Sequence, residues 1–562
     1  MNSEDLKKAP YNLNENDIEW VMTTWTSLTD EEKAGQMFIP LCMDLRKENM
    51  DKILGYKPGG VHRFASMPTN ALRNSAEYLQ SKSRIPLLLT GDLEFGTLGT
   101  LGIEGTEFQT QIGTAASAEW KRDAERMAKI AAREGGALGF NWSFSPVVDI
   151  NYNFRSYITS TRSFGSNPEK VSAMGSIYLQ ALQNEGMAAC AKHWPGDGID
   201  ERDQHMVTTH NTLSMEEWHK TYGRIYKTMI DSGVLSIMSV HITLAAWDRE
   251  LNPKARIEEI LPASISSNLN IRLLREKFGF NGVIISDATG MAGFTSQGAR
   301  EKLVPMVINN GCDIFLFSVE DAYDFNLLVK FVKDGTFPGQ RVKEAVLRIL
   351  ALKASLGLHI KKQEGTLIPA TETVDKILGC SEHERWKDEC VSSSITLVKD
   401  TQKLLPVSPE THRRVLLIQN TPTAFFGPPK ELCFRDYLED TGFEVTMMAE
   451  DIFPSPDFFN LVIYMINQTR FFGSGSYFAD WQDLHKGLMK SMIRTWDSVP
   501  TMMISLSNPY HLFDAPRVKT YINAYSPIEA VQKKLVELIT GKADFKGQNP
   551  VDPFCGLKDA LL

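Results

Sequence analysis

Between residues 36 and 317 short apolar runs recur along the chain: QMFIPLC, GGVHRF, IPLLLTG, FNWSFSPVV, GMAACAK, VLSIMSVH, GVIISD and GCDIFLF, eight in all. Their near-continuous apolar character and short length fit strands buried on both faces. The gaps hold longer stretches with apolar residues at helical spacing, including SAEWKRDAERMAKIAAREGGAL, NPEKVSAMGSIYLQALQNE, SMEEWHKTYGRIYKTMIDSG and ASISSNLNIRLLREKFGF. Strand and helix therefore alternate, and eight repeats of that alternation predict a TIM-like (β/α)8 barrel of α/β class over residues 1–357.

After a last helical stretch, GQRVKEAVLRILALKASLGL, the period is lost, and residues 358–385 are expected to form a linker. The runs RRVLLIQN, FNLVIYMIN and TMMISLSN, with the helical SPIEAVQKKLVELITG, then predict a smaller, sandwich-like α/β C-terminal domain over 386–562.

Composition narrows the chemistry. The 562 residues are 43% hydrophobic and 23% charged, enough for more than one full core. Acids exceed bases by 69 to 60 without a sustained basic run, which disfavours nucleic-acid and anionic-membrane partners and favours a small neutral substrate. The seven cysteines, 42, 190, 312, 380, 390, 433 and 555, are odd in number and lack CxxC spacing. They predict reduced thiols, and with the polar, acidic start MNSEDLKKAPYNLNENDIEW they predict a cytoplasmic protein.

In such barrels function gathers at the carboxyl ends of the strands. Asp92, Lys192, His193, His241 and Asp287 each end an apolar run there, so five titratable side chains from four strands are expected to converge. The stretch AKHWPGDGIDERDQH, residues 191–205, adds a second feature: Pro195, Gly196 and Gly198 preclude regular structure and predict a loop over the barrel mouth. Asp203 and His205 are spaced on it so that the carboxylate reaches the imidazole, orienting one ring nitrogen and leaving the other for proton transfer. A metal site built from His193, His205, His210 and His241 is disfavoured by the absence of an HExxH helix or close local pairing. GSGS at 473–476 does not follow a strand into a helix as a phosphate loop would.

These motifs resemble, in order and spacing, those of the family 3 glycoside hydrolases, in the branch of β-N-acetylglucosaminidases. NWSFSPVVDINYN, TRSFGSNPEKV, AACAKHWPGDG, DQH, IMSVHI, LPASIS and LLREKFGFNGVIISDATGM resemble that family's barrel; SSSITLVKDTQKLLPV, SLSNPYHLF and INAYSPIEAVQKKLVELITGKADFKGQNPV resemble its C-terminal domain. The resemblance implies a retaining exo-β-N-acetylglucosaminidase that needs no cofactor or metal. It makes Asp287 the nucleophile and Asp203 with His205 the acid/base pair. Asp92, Arg162, Lys192 and His193 would hold sugar hydroxyls, with His241 near the same subsite. Two departures fall near the mouth: the family's DQEGG is DLEFG here (92–96), and its usual His after PG is Asp197. A β-glucosidase-type exo-glycosidase, an N-acetylglucosaminide phosphorylase and an inactive sugar-binding barrel are the alternatives. The aglycone and oligomeric state are left open.

Overall fold

The structure, a computed structural model, describes residues 1–64, 67–95, 104–156, 158–420, 431–468 and 479–561. Gly96 of the DLEFG motif and the GSGS stretch lie outside the described residues. The chain divides into two compact units. One comprises Met1–Phe108, Glu125–Ile150 and Pro168–His383; the other comprises Gln109–Ala124, Asn151–Asn167 and Glu384–Leu562.

Each of the eight apolar runs contains one strand of the first unit: β1 (Phe38–Ile39), β2 (Gly60–His62), β3 (Leu88–Gly91), β4 (Trp142–Ser143), β5 (Ala188–Trp194), β7 (Ser236–Ser239), β9 (Val283–Ser286) and β10 (Phe315–Leu316). β2-β3-β4-β5-β7-β9 form a continuous parallel sheet and β1 pairs with β10. The parallel bridges Leu41↔His62 and Ile285↔Ile314 join the two ladders, so the eight strands close on themselves. Every strand residue is buried, because helices cover the outer face and side chains fill the inside. A two-residue parallel ladder, β6 (Thr209–His210) with β8 (Ile242–Thr243), ties the loop after β5 to the segment after β7.

Residues 358–385 differ from the expected linker. They carry the helices Leu358–Glu364 and Thr371–Ile377 and the start of Ser381–Ser394. Polar anchoring replaces apolar period here: Lys362 Nζ donates to the carbonyl of Ser83 (2.6 Å), Arg73 Nη2 donates to that of Pro369 (2.9 Å), and His383 Nδ1 meets Glu134 Oε1 (2.7 Å).

In the second unit β11 (Thr396–Asp400), β12 (Arg414–Gln419), β13 (Glu444–Met447), β14 (Leu461–Ile466), β15 (Thr501–Ser505) and β16 (Thr520–Asn523) form one sheet in the order β11-β16-β15-β14-β12-β13. Only β11 runs antiparallel. Alternate residues of β12 and β14 enter two separate cores, Val415, Leu417 and Ile463 in one and Leu416, Val462 and Tyr464 in the other. Both faces are thus covered, which explains the unbroken apolar runs. This unit also takes two segments from within the expected 1–357 domain. Thr110 Oγ1 donates to the carbonyl of Tyr525 (2.9 Å), Ala118 N to that of Ser393 (3.1 Å), and Ser166 N to that of Pro550 (3.0 Å).

Candidate active site

Seven of the eight expected site residues lie in the barrel unit. Arg162 lies in the second, where its amide donates to the carbonyl of Thr159 (2.7 Å) and its own carbonyl accepts from Gln111 Nε2.

Ser286, the last residue of β9, is in register with Ser239 of β7, and the amide of Asp287 extends that ladder by one bond to the carbonyl of Ser239 (2.9 Å). The carboxylate therefore emerges at the carboxyl end of the barrel. Its Oδ1 accepts the amide of Ala288 at 2.7 Å. Burial raises the pKa of Asp287, but the fields of His241, His193 and His205, with the Ala288 bond, outweigh it and hold the group below the ordinary carboxylate value.

His241 sits two residues beyond β7 and is fully buried. Its Nε2 faces the carbonyl of Ala288 (3.0 Å) and its Nδ1 the hydroxyl of Ser264 (2.9 Å). A carbonyl can only accept, so the proton is assigned to Nε2, and Nδ1 accepts from Ser264. Burial favours this neutral ring by lowering its pKa. With both nitrogens engaged, His241 braces the main chain beside Asp287.

On β5, Lys192 Nζ lies 2.6 Å from Asp92 Oδ1 and 2.9 Å from Oε1 of the fully buried Glu94. One cation thus serves two carboxylates, and only Asp92 keeps appreciable exposure. The other oxygen of Asp92 is 3.5 Å from His62 Nε2. Burial, with Lys192 and Arg63 adding to it and Asp92 opposing, pushes the pKa of His62 down to about 4. The next residue, His193, points Nδ1 at Asp149 Oδ2 (2.5 Å), whose Oδ1 accepts the amides of His193 (3.2 Å) and Asp197 (2.8 Å).

The loop after β5 begins at Gly196, with φ of +121°, where a Cβ would stand 2.2 Å from the ring of Tyr222. Glycine is required at that turn. The loop brings Asp203 and His205 together: Oδ1 of Asp203 accepts both Nδ1 (2.7 Å) and the amide (2.8 Å) of His205. Asp203 is buried, its Oδ2 has no hydrogen-bond partner among the described residues, and 29% of the His205 side chain is exposed. The geometry fixes the tautomer and directs proton exchange to Nε2.

Sequence reasoning did not single out Asp149, Glu94, His62, Gln204 or Ser264. Asp149 and Glu94 sit inside motifs quoted above, but nothing in their local spacing points to partners 44 and about 100 residues away. Among the described residues no group of three or more His, Cys, Asp or Glu is arranged to hold a metal. His210 Nδ1 faces Thr243 Oγ1 at 2.7 Å.

Residues 29–352 match the model of the glycosyl hydrolase family 3 N-terminal domain. A protein of Cellulomonas fimi named β-N-acetylglucosaminidase/β-glucosidase is 38% identical over 99% of this chain and 100% of its own length. A solved β-glucoside phosphorylase, BglX, bound to 2FGlc, superposes with a TM-score of 0.92 at 36% identity, covering 99% of this chain and all of that one. A family 3 β-N-acetylglucosaminidase from Paenibacillus shares the fold at a TM-score of 0.78 and 22% identity, over 94% of this chain and all of its own.

Proposed function

The chain belongs to glycosyl hydrolase family 3, and from that premise we propose that it is a retaining, exo-acting enzyme releasing terminal β-linked N-acetylglucosamine. The observation that carries this reading is the pairing of two differently prepared groups. The Asp287 carboxyl is held below the ordinary carboxylate value, and His205 is oriented by Asp203 on the loop above.

Asp287 attacks the anomeric carbon while His205 gives the Nε2 proton to the departing oxygen. The resulting glycosyl-enzyme is opened by water, which passes its proton back to His205. Asp203 keeps the imidazole oriented and stabilises its charged form; with Oδ2 buried and without a hydrogen-bond partner among the described residues, its charge is directed at the ring through Oδ1. Asp92 and Lys192 offer an acceptor and a donor to sugar hydroxyls, and His193 adds Nε2. The substrate assignment draws on the name of the Cellulomonas fimi relative, which covers both N-acetylglucosaminides and glucosides.

A second reading is favoured by the superposition on a β-glucoside phosphorylase: phosphate, rather than water, takes the glycosyl group and yields a sugar 1-phosphate. A neutral imidazole base does not repel that anion as a carboxylate would. The seven cysteines, none in a disulfide among the described residues, support a reducing, cytoplasmic setting, and among the described residues no helix is long and apolar enough to cross a membrane.

The test is one assay of aryl N-acetyl-β-glucosaminide beside aryl β-glucoside, with and without millimolar phosphate, read by proton NMR. The reading expects the N-acetyl-β-glucosaminide as the better substrate and the β anomer of N-acetylglucosamine first. Initial α product would require inversion and remove the assignment of Asp287. Faster turnover with sugar 1-phosphate as product would select the phosphorylase reading.

A further inference from the structure

We propose that Gln204 is a positioning residue that sets His205 against Asp287. The inference takes as given the reading of that pair as acid/base and nucleophile. Asp203 and His205 belong to the same loop, so the bond between them orients the imidazole but moves with the loop. The distance from His205 to Asp287 must be fixed by contacts made from outside it.

Gln204, buried beside His205 on the loop, makes such a contact through the amide of His241. Its Nε2 donates to Asp197 Oδ2 (3.4 Å) and its Oε1 accepts the amide of His241 (3.0 Å). Only this orientation of the side-chain amide suits both neighbours, because a carboxylate can only accept and an N–H can only donate. Each neighbour is itself held. The amide of Asp197 donates to Asp149 Oδ1 (2.8 Å), its Oδ1 accepts the amide of Gly198 (2.7 Å), and its carbonyl accepts the hydroxyl of Tyr222 (2.5 Å). His241 is fixed by Ser264 and holds the carbonyl of Ala288, whose amide bonds the Asp287 carboxylate. A continuous chain of hydrogen bonds thus runs from the partner of His193 through Gln204 to the nucleophile.

The segment after Asp287 closes on the same loop. Ala292 N donates to the carbonyl of His205 (2.9 Å) and Gly293 N to that of Gln204 (3.2 Å). A Cβ on residue 293 would stand 2.5 Å from the Gln204 carbonyl, so the close approach requires glycine. These are main-chain bonds that survive side-chain replacement. The Gln204 amide is a side-chain link between the loop beside His205 and the segment after β7, and a misplacement of about 1 Å at such a pair costs on the order of a hundredfold in rate.

The test exchanges donor and acceptor. Gln204→Glu sets two carboxylates against each other, and Gln204→Met removes both bonds without adding charge. Both should lose on the order of a hundredfold in turnover of a disaccharide while an activated nitrophenyl glycoside, which needs little acid help, loses much less. The double variant Asp197→Asn/Gln204→Glu reverses the donor and acceptor and should recover most of the disaccharide activity. Wild-type selectivity in Gln204→Met, equal loss on both substrates, or a double variant no better than Gln204→Glu would overturn the proposal. His205→Ala in the same assay separates the two levels. If it shows no leaving-group dependence, the acid/base reading itself is at fault; if it does while the Gln204 variants do not, only the positioning role fails.

Discussion

Oδ1 of Asp203 accepts two bonds from a single residue, the ring Nδ1 of His205 at 2.7 Å and its main-chain amide at 2.8 Å. The carboxylate therefore binds the ring in one orientation and the backbone that carries it, and only Nε2 is left to exchange a proton with a substrate.

It follows that His205→Ala should harm substrates in proportion to the basicity of the leaving oxygen. Loss should be severe for a sugar–sugar bond and mild for a nitrophenyl glycoside, where a burst of nitrophenol precedes slow breakdown of the intermediate. Asp203→Ala should follow the same pattern more weakly. Pre-steady-state absorbance traces check both, and equal loss on both substrates without a burst would make His205 a mere binder.

Lys192 lies against both Asp92 and the fully buried Glu94. Lys192→Met should remove a charge partner from a buried carboxylate and destabilise the barrel by about 3–5 kcal/mol. Denaturant unfolding measures this, and restoration by the double variant Lys192→Met/Glu94→Gln would show that the loss is electrostatic.

Much of the barrel was legible because strands buried on both faces must be apolar throughout, and all eight announce themselves. Strand ends then exposed Asp92, Lys192, His193, His241 and Asp287 as polar residues closing apolar runs, and the loop pair was visible because Asp203 and His205 are two residues apart. What was not legible depends on distance in sequence. Asp149 meets His193 44 residues on, and Gln204 meets the amide of His241 37 residues on. The bonds of His241 to Ser264 and Ala288 were not legible either, because they join residues 23 and 47 positions apart. The segments 109–124 and 151–167 join the second unit through hydrogen bonds such as Thr110 to Tyr525 and through an apolar cluster in which Ile112 and Ala116 pack with Tyr510, Tyr525 and Val551, contacts between residues far apart in sequence that leave no periodic trace.

The histidine at the end of β2 bears on acid stability. His62 has a folded pKa of about 4 against about 6.5 unfolded, so the unfolded chain binds more protons between those values. Stability should therefore fall as pH drops from about 6.5 to about 4, by roughly 3 kcal/mol from this group. His62→Gln should flatten that part of the curve, as read by unfolding at a series of pH values; an unchanged slope would contradict the burial account.

Asp287 has the opposite linkage. Its carboxyl is held below the ordinary value, so it favours folding above the unfolded pKa of about 3.9, an advantage lost as pH falls through the folded value. In catalysis the same depression should place the acid limb of kcat/KM due to Asp287 below about pH 4. A limb well above that, abolished in no other single variant, would mean that the imidazoles do not govern its charge.

The central claim is that Asp287 forms the covalent glycosyl-enzyme. Incubation with a slow 5-fluoro N-acetylglucosaminyl fluoride, followed by proteolysis and peptide mass analysis, tests it directly. The account predicts a stoichiometric label on the peptide spanning GVIISDATGM, located at Asp287 and absent from Asp287→Ala. A label on another residue, or continued turnover of the wild-type enzyme with no label at any stage, would contradict it.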